Sequence, residues 1–196
     1  RISDAAVKSL AKKELFTIVE KEVTRKIEDE FSDEEKITAL NTDQKTVLEE
    51  IYRPIDEEKF NTFLLFGVTG SGKTQIYIEA IKRVLNKNKT AIVLVPEISL
   101  TPQLIQRFRS HFGEVVGVIP SRLSDGKRFD VFRGILSGKI KIIIGARSAL
   151  FAPLKNIGVI VVDEEHDHSY KHSEKNPTYN ARDSAIIRAR LNNAVA

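Results

Sequence analysis

One octapeptide constrains this chain more than any other stretch. GVTGSGKT, residues 67–74, fits G-x-x-x-x-G-K-[ST] at every fixed position. It follows the apolar run FLLFG (63–67) and leads into a helix-length amphipathic segment at 73–85. A strand, a glycine-rich turn and a helix in that order point successive backbone amides inward at the positive end of a helix dipole, which makes an anion cradle. Gly70, Ser71 and Gly72 would supply the loop, Lys73 a point charge for β- and γ-phosphates, and the Thr74 hydroxyl a ligand for Mg²⁺. A glycine-rich turn arising by chance would not require both flanking elements.

The rest of the chain from residue 63 repeats the same alternation. AIVLV (91–95), VVGVI (115–119), KIIIG (141–145) and GVIVV (158–162) are apolar on both faces, as parallel strands covered by helices must be. Helix-length segments at 99–111 and 127–136 separate them, and ARDSAIIRARL near the end reads as another helix. The predicted fold is therefore α/β, a doubly wound parallel sheet with helices on both faces and right-handed crossovers. Two regions stand outside that pattern. Residues 1–31 read as a short helix followed by strand-like LFTIVEKEV and resemble the C-terminal part of a winged-helix domain, with seven basic and seven acidic residues in balance. Residues 32–40 form a polar linker, so the lobe itself is expected over 41–196.

The second informative stretch is VIVVDEEHDHSYKHSEKNPTYNARD, residues 159–183. Asp163 leaves a hydrophobic strand at the carboxyl end of the sheet, where open α/β folds bind ligands. There it would reach the Mg²⁺ held by Thr74, and Glu164 would orient an attacking water. Carboxylates are weak bases at neutral pH, so positioning is the larger contribution. A DEE triplet alone reads as a solvated acidic turn; the upstream cradle changes that reading. The remainder is cationic and aromatic, suited to phosphates and exposed bases.

Charge distribution points the same way. The chain's net charge is only +4, yet residues 101–150 hold nine Lys or Arg against three acids, which suggests a polyanionic partner. No run approaches the ~18 apolar residues of a membrane span, so no membrane association is expected. With no cysteine, disulfides and cysteine-bound zinc are excluded from this sequence, in keeping with a reducing cytoplasm. Methionine is absent as well, and NNAVA reads as the opening of a further strand, so a piece of a longer product is expected.

DEEH downstream of GVTGSGKT resembles superfamily 2 helicases and translocases. LVPEISLTPQ (94–103), GARSALFAPLKNIGVIVVDEEHDHSYK (145–171) and YNARD (179–183) are similar, more narrowly, to the primosomal replication-restart helicases of bacteria. The resemblance implies a RecA-like lobe of an ATP-dependent 3′–5′ DNA helicase acting at stalled forks and D-loops. It implies ATP and Mg²⁺ in this lobe and zinc elsewhere in the family's full-length proteins. Partners would be forked or single-stranded DNA, single-strand-binding protein and primosome proteins, in a bacterial cytoplasm. By position, Gln44 in LNTDQ would read adenine, although helix capping explains NTDQ equally well. His166 would relay nucleotide state to the DNA side. Thr101, Gln103, Arg147 and Ser148 fall where relatives touch the DNA backbone, with local capping as the other reading. Tyr170 and Tyr179 would stack on bases, while Lys171 and Arg182 would meet phosphates. Pro120, Pro177, Thr178 and Gln75 depart from the common pattern without removing a catalytic group. Without a second lobe and its arginine finger, this stretch is expected to bind Mg-ATP, hydrolyse it slowly and unwind nothing. The competing readings are another superfamily 2 DNA translocase, a P-loop kinase or GTPase-like switch, for which no guanine-reading NKxD motif is present, and a nonenzymatic DNA-binding module.

Overall fold

The structure, a computed structural model, describes residues 10–13, 40–68, 70–172 and 177–196. The expected winged-helix segment at 1–31 and linker at 32–40 lie outside these, apart from residues 10–13 and Leu40.

Four parallel strands form the sheet: β1 (Thr90–Leu94), β2 (Val116–Ile119), β3 (Ile142–Gly145) and β4 (Ile157–Val162), in the order β2-β3-β1-β4. Pairing Ile92 with both Ile143 and Ile160 fixes the register at its centre. Because side chains alternate along a strand, β1 sends Ala91 and Val93 to one face and Ile92 and Leu94 to the other. The first face packs on α1 (Thr42–Asp56), α2 (Lys73–Asn86) and α3 (Pro102–Phe112) through Ile51, Ile81 and Phe108. The second packs on α4 (Asp125–Leu136) and α5 (Ala181–Leu191) through Ile135 and the alanines 181, 185 and 189. Small residues at every fourth position let α5 lie close to the sheet, and its solvent side carries Ile187 and Leu191. The fold is thus the expected α/β sandwich with helices on both faces. Among the described residues, no helix is long and apolar enough to cross a membrane.

One expected strand is absent. FLLFG (63–67) is not laddered into the sheet; pairing in this region is confined to residues 61–63. Val195 bridges Val159 on one side and Asn61 on the other, the Ala196 N–H donates to Asn61 O (3.0 Å), and the Phe63 N–H donates to Ala196 O (2.9 Å). Residues 64–67 belong to no strand, and Leu64 and Phe66 are exposed. NNAVA, by contrast, pairs where a further strand was expected.

Candidate nucleotide and nucleic-acid site

The cradle is built by the turn into α2. Gly70 (φ 82°) and Gly72 (φ 87°) adopt left-handed backbone that side chains resist, and a Cβ on Gly72 would lie 2.3 Å from Gln44 Nε2. Gly72 is also the N-cap of α2, so the loop delivers the partnerless amides of a helix's first turn into the hollow. Lys73 Nζ donates to the carbonyls of Gly67 (2.6 Å) and Val68 (3.2 Å), folding back over the loop. Gln44 braces the loop from α1: its Nε2 donates to Ser71 O (3.1 Å), while its Oε1 accepts from the Asn41 amide (3.0 Å). The Gln44 amide in turn donates to Asn41 Oδ1 (2.8 Å), which completes a capping box. Both ends of this side chain are therefore engaged by the cap and the loop.

Asp163 sits across the hollow. Its N–H donates to Leu94 O (2.9 Å), continuing the β1–β4 ladder, and two tyrosines hold the rest of the residue. The Tyr77 hydroxyl from α2 lies 3.2 Å from Oδ1, and the Tyr170 hydroxyl donates to the main-chain oxygen at 2.6 Å. Burial pushes the Asp163 carboxyl above its usual range, against the downward pull of the Tyr77 hydrogen bond. Burial likewise pushes both tyrosine hydroxyls well up, so they remain proton donors. Glu164, next along, has left-handed backbone at φ 49°. Its Oε2 is 3.7 Å from His166 Nε2, and both side chains are open to solvent.

Lys73, Thr74, Asp163 and Glu164 converge on one cavity of about 580 Å³, together with Gly70, Gly72, Gln44 and Arg107. The polar groups are a hydroxyl, two carboxylates, an ammonium and helix-start amides. Such a set fits phosphates with a hard divalent ion that takes much of its oxygen shell from phosphate and water. Among the described residues no group of three or more His, Cys, Asp or Glu could hold a metal unaided. Asp163 and Glu164 also border a second, mostly apolar cleft of about 700 Å³ between residues 62–67 and β4.

The residues expected to touch DNA are wired differently from the expectation. Tyr170 is 1% exposed and packs in the core layer under α5 with its hydroxyl on Asp163, so base stacking by this ring is corrected to a structural contact. Arg147 donates to the carbonyls of Ser169 (3.2 Å) and Lys171 (2.9 Å), which ties the Arg147–Phe151 turn to the loop after the acid box. Arg182 pairs with Glu165 and with Asp183, each at 2.9 Å. Thr101 caps α3 by accepting from the Leu104 amide (3.3 Å), and Ser148 Oγ is buried without a hydrogen-bond partner. Lys171 and Gln103 are exposed. Tyr179 stays half-buried, edge-on to Phe151 at 5.2 Å, in a short antiparallel ribbon of β5 (Lys171–His172) and β6 (Tyr179–Asn180).

Three contributors had no motif to announce them. Tyr77 could have been noticed only by its spacing, one turn after Lys73 on the same helix. Arg107 was visible as charge and lines the cradle instead of facing away from it. Arg188 donates to the carbonyls of Leu150, Ala152 (2.8 Å) and Leu154 (3.5 Å). It fixes the segment that carries Arg147 and Ser148, and nothing local in the sequence reveals this.

A family model described as type III restriction enzyme, res subunit, matches residues 20–188. The chain is 45% identical over 188 residues to the replication restart protein PriA of Bacillus subtilis (strain 168), a match covering 95% of this chain and 23% of that protein. It is 46% identical over 155 residues to the PriA of Chlamydia pneumoniae, covering 79% and 21% respectively. With the PriA of Synechocystis sp. the identity is 42% over 189 residues, covering 96% and 22%. The chain thus spans between a fifth and a quarter of the length of these curated relatives.

Proposed function

The chain belongs to the family described as type III restriction enzyme, res subunit, and on that premise we propose that it is the first RecA-like lobe of an ATP-dependent DNA helicase of the PriA kind. The observation that carries the reading is the convergence of Lys73, Thr74, Asp163 and Glu164 on one cavity although 88 residues separate the two motifs. A cradle alone serves kinases and switches equally well; the facing acid box, in a chain this similar to replication restart proteins, favours the helicase.

In this reading Thr74 and Asp163 hold a magnesium ion, which when bound neutralises charge on the phosphates of ATP. Lys73 exchanges the carbonyls of Gly67 and Val68 for phosphate oxygens. Glu164 holds and orients the attacking water, and His166, in contact with it, passes nucleotide state toward the DNA side. Gln44 acts on the nucleotide by bracing Ser71, with adenine reading as its further role. Lys171, Tyr179 and Gln103 meet DNA directly. Thr101, Arg147, Ser148 and Arg182 border that surface, and the last two arginines can exchange internal partners for phosphates.

Beyond this lobe, the resemblance supports 3′–5′ movement, action at stalled forks and D-loops, zinc elsewhere in the full-length protein, single-strand-binding protein and primosome proteins as partners, and a bacterial cytoplasmic setting. The test is ATP turnover by the full-length protein with and without forked DNA, beside a Lys73→Ala variant. Strong stimulation by the fork that the variant abolishes is expected. Turnover indifferent to DNA would return the reading to a P-loop switch.

A further inference from the structure

Asp163 is held at every point but one by its own main chain. Its amide is in the β1–β4 ladder and its carbonyl accepts from Tyr170, which leaves only the carboxylate free to swing. Its own loop meets the carboxylate through the Glu164 backbone N–H, and from outside that loop Tyr77 reaches from α2 to Oδ1 across 86 positions of sequence. Tyr77 stands four residues after Lys73 and three after Thr74, so helical spacing puts it on the face that carries the cradle. Its ring is half-buried beside Ile76 and Ala80, which gives the hydroxyl a fixed direction.

We propose that Tyr77 is a positioning residue for ATP hydrolysis, its hydroxyl aiming the Asp163 carboxylate so that the magnesium ion meets an already oriented oxygen. The proposal rests on the nucleotide-site reading above and deepens it. Carboxylates that hold metal ions are themselves commonly hydrogen-bonded, and loss of such a partner weakens the metal site without dismantling it. A tyrosine serving only the packing of α2 would keep its value as phenylalanine, because the ring supplies the packing.

The decisive variant is therefore Tyr77→Phe in the full-length protein. Two quantities are followed as Mg²⁺ is titrated: binding of a fluorescent ATP analogue, and DNA-stimulated turnover at saturating ATP. The Mg²⁺ concentration giving half the maximal signal is expected to rise about 10-fold in both. Turnover should recover at high Mg²⁺, and the metal-free thermal midpoint should fall by no more than the loss of one hydrogen bond costs. In an Asp163→Asn background, adding Tyr77→Phe should shift the Mg²⁺ dependence of analogue binding no further, since the two residues act as one unit. An unchanged Mg²⁺ dependence in Tyr77→Phe beside a normally titrating wild type overturns the proposal alone, as does a fall in thermal midpoint with no shift in Mg²⁺. A wild type with no Mg²⁺-dependent turnover overturns the nucleotide-site reading itself.

Discussion

The cradle at 67–74 and the loop that follows the acid box sit on the same edge of one sheet, and they use their residues in opposite ways. The cradle works through backbone. Gly70 and Gly72 take positive φ values that side chains resist, and at Gly72 a Cβ would also collide with Gln44, so the cradle's identity as an anion site is inseparable from its fold. The loop works through side chains, and several of those expected to meet DNA, in it and beside it, already have internal partners. Tyr170 is in the core, Arg147 holds two loop carbonyls, and Arg182 holds two carboxylates. A motif made of backbone conformation says what the site does; a motif made of side-chain types says only where the site is.

This contrast can be broken experimentally at four points. Lys73→Ala should reduce DNA-stimulated turnover of the full-length protein by about 10²- to 10³-fold, the usual cost of losing one charge-stabilising donor; a loss under tenfold would mean that the cradle's amides suffice. Tyr170→Ala should behave as a core deletion, lowering stability by ~3–5 kcal/mol in denaturant unfolding. Tyr170→Phe should cost only ~1 kcal/mol, the worth of its hydrogen bond. If Tyr170→Ala unfolds at the wild-type denaturant concentration but loses DNA, the ring stacks on bases after all. Tyr179→Ala, on the half-buried ribbon, should leave stability nearly intact and weaken single-stranded DNA binding by ~1–3 kcal/mol, as for one stacked base. The smallest effect belongs to Lys171→Ala. It should lower the slope of log affinity against log salt by about 1, with little sequence dependence.

The same contrast explains what could be read without coordinates. AIVLV, KIIIG and GVIVV were legible as strands because a run apolar on both faces has few places to go except the middle of a sheet. The helix start at α3 was placed three residues early, at Ser99, because Thr101 followed by Pro102 is the cap and first turn. FLLFG has the same composition as a central strand, yet pairing in this region is confined to residues 61–63, and no local pattern encodes a pairing partner. LNTDQ carried two readings; the capping box is formed, and Gln44 additionally supports Ser71, which needs tertiary approach to see. Tyr170 and Tyr179 looked alike as aromatic residues in a basic loop. The difference between them is set by packing against Leu150 and the alanines of α5, far along the chain.

Glu164 adopts a backbone that costs a side-chain-bearing residue about 1 kcal/mol and a glycine nothing. Directed evolution that rewards only heat resistance would therefore drift toward glycine at the position proposed above to orient the water. The most robust members of such a library would be inert ones, and a useful screen has to score turnover and thermal survival on the same clones.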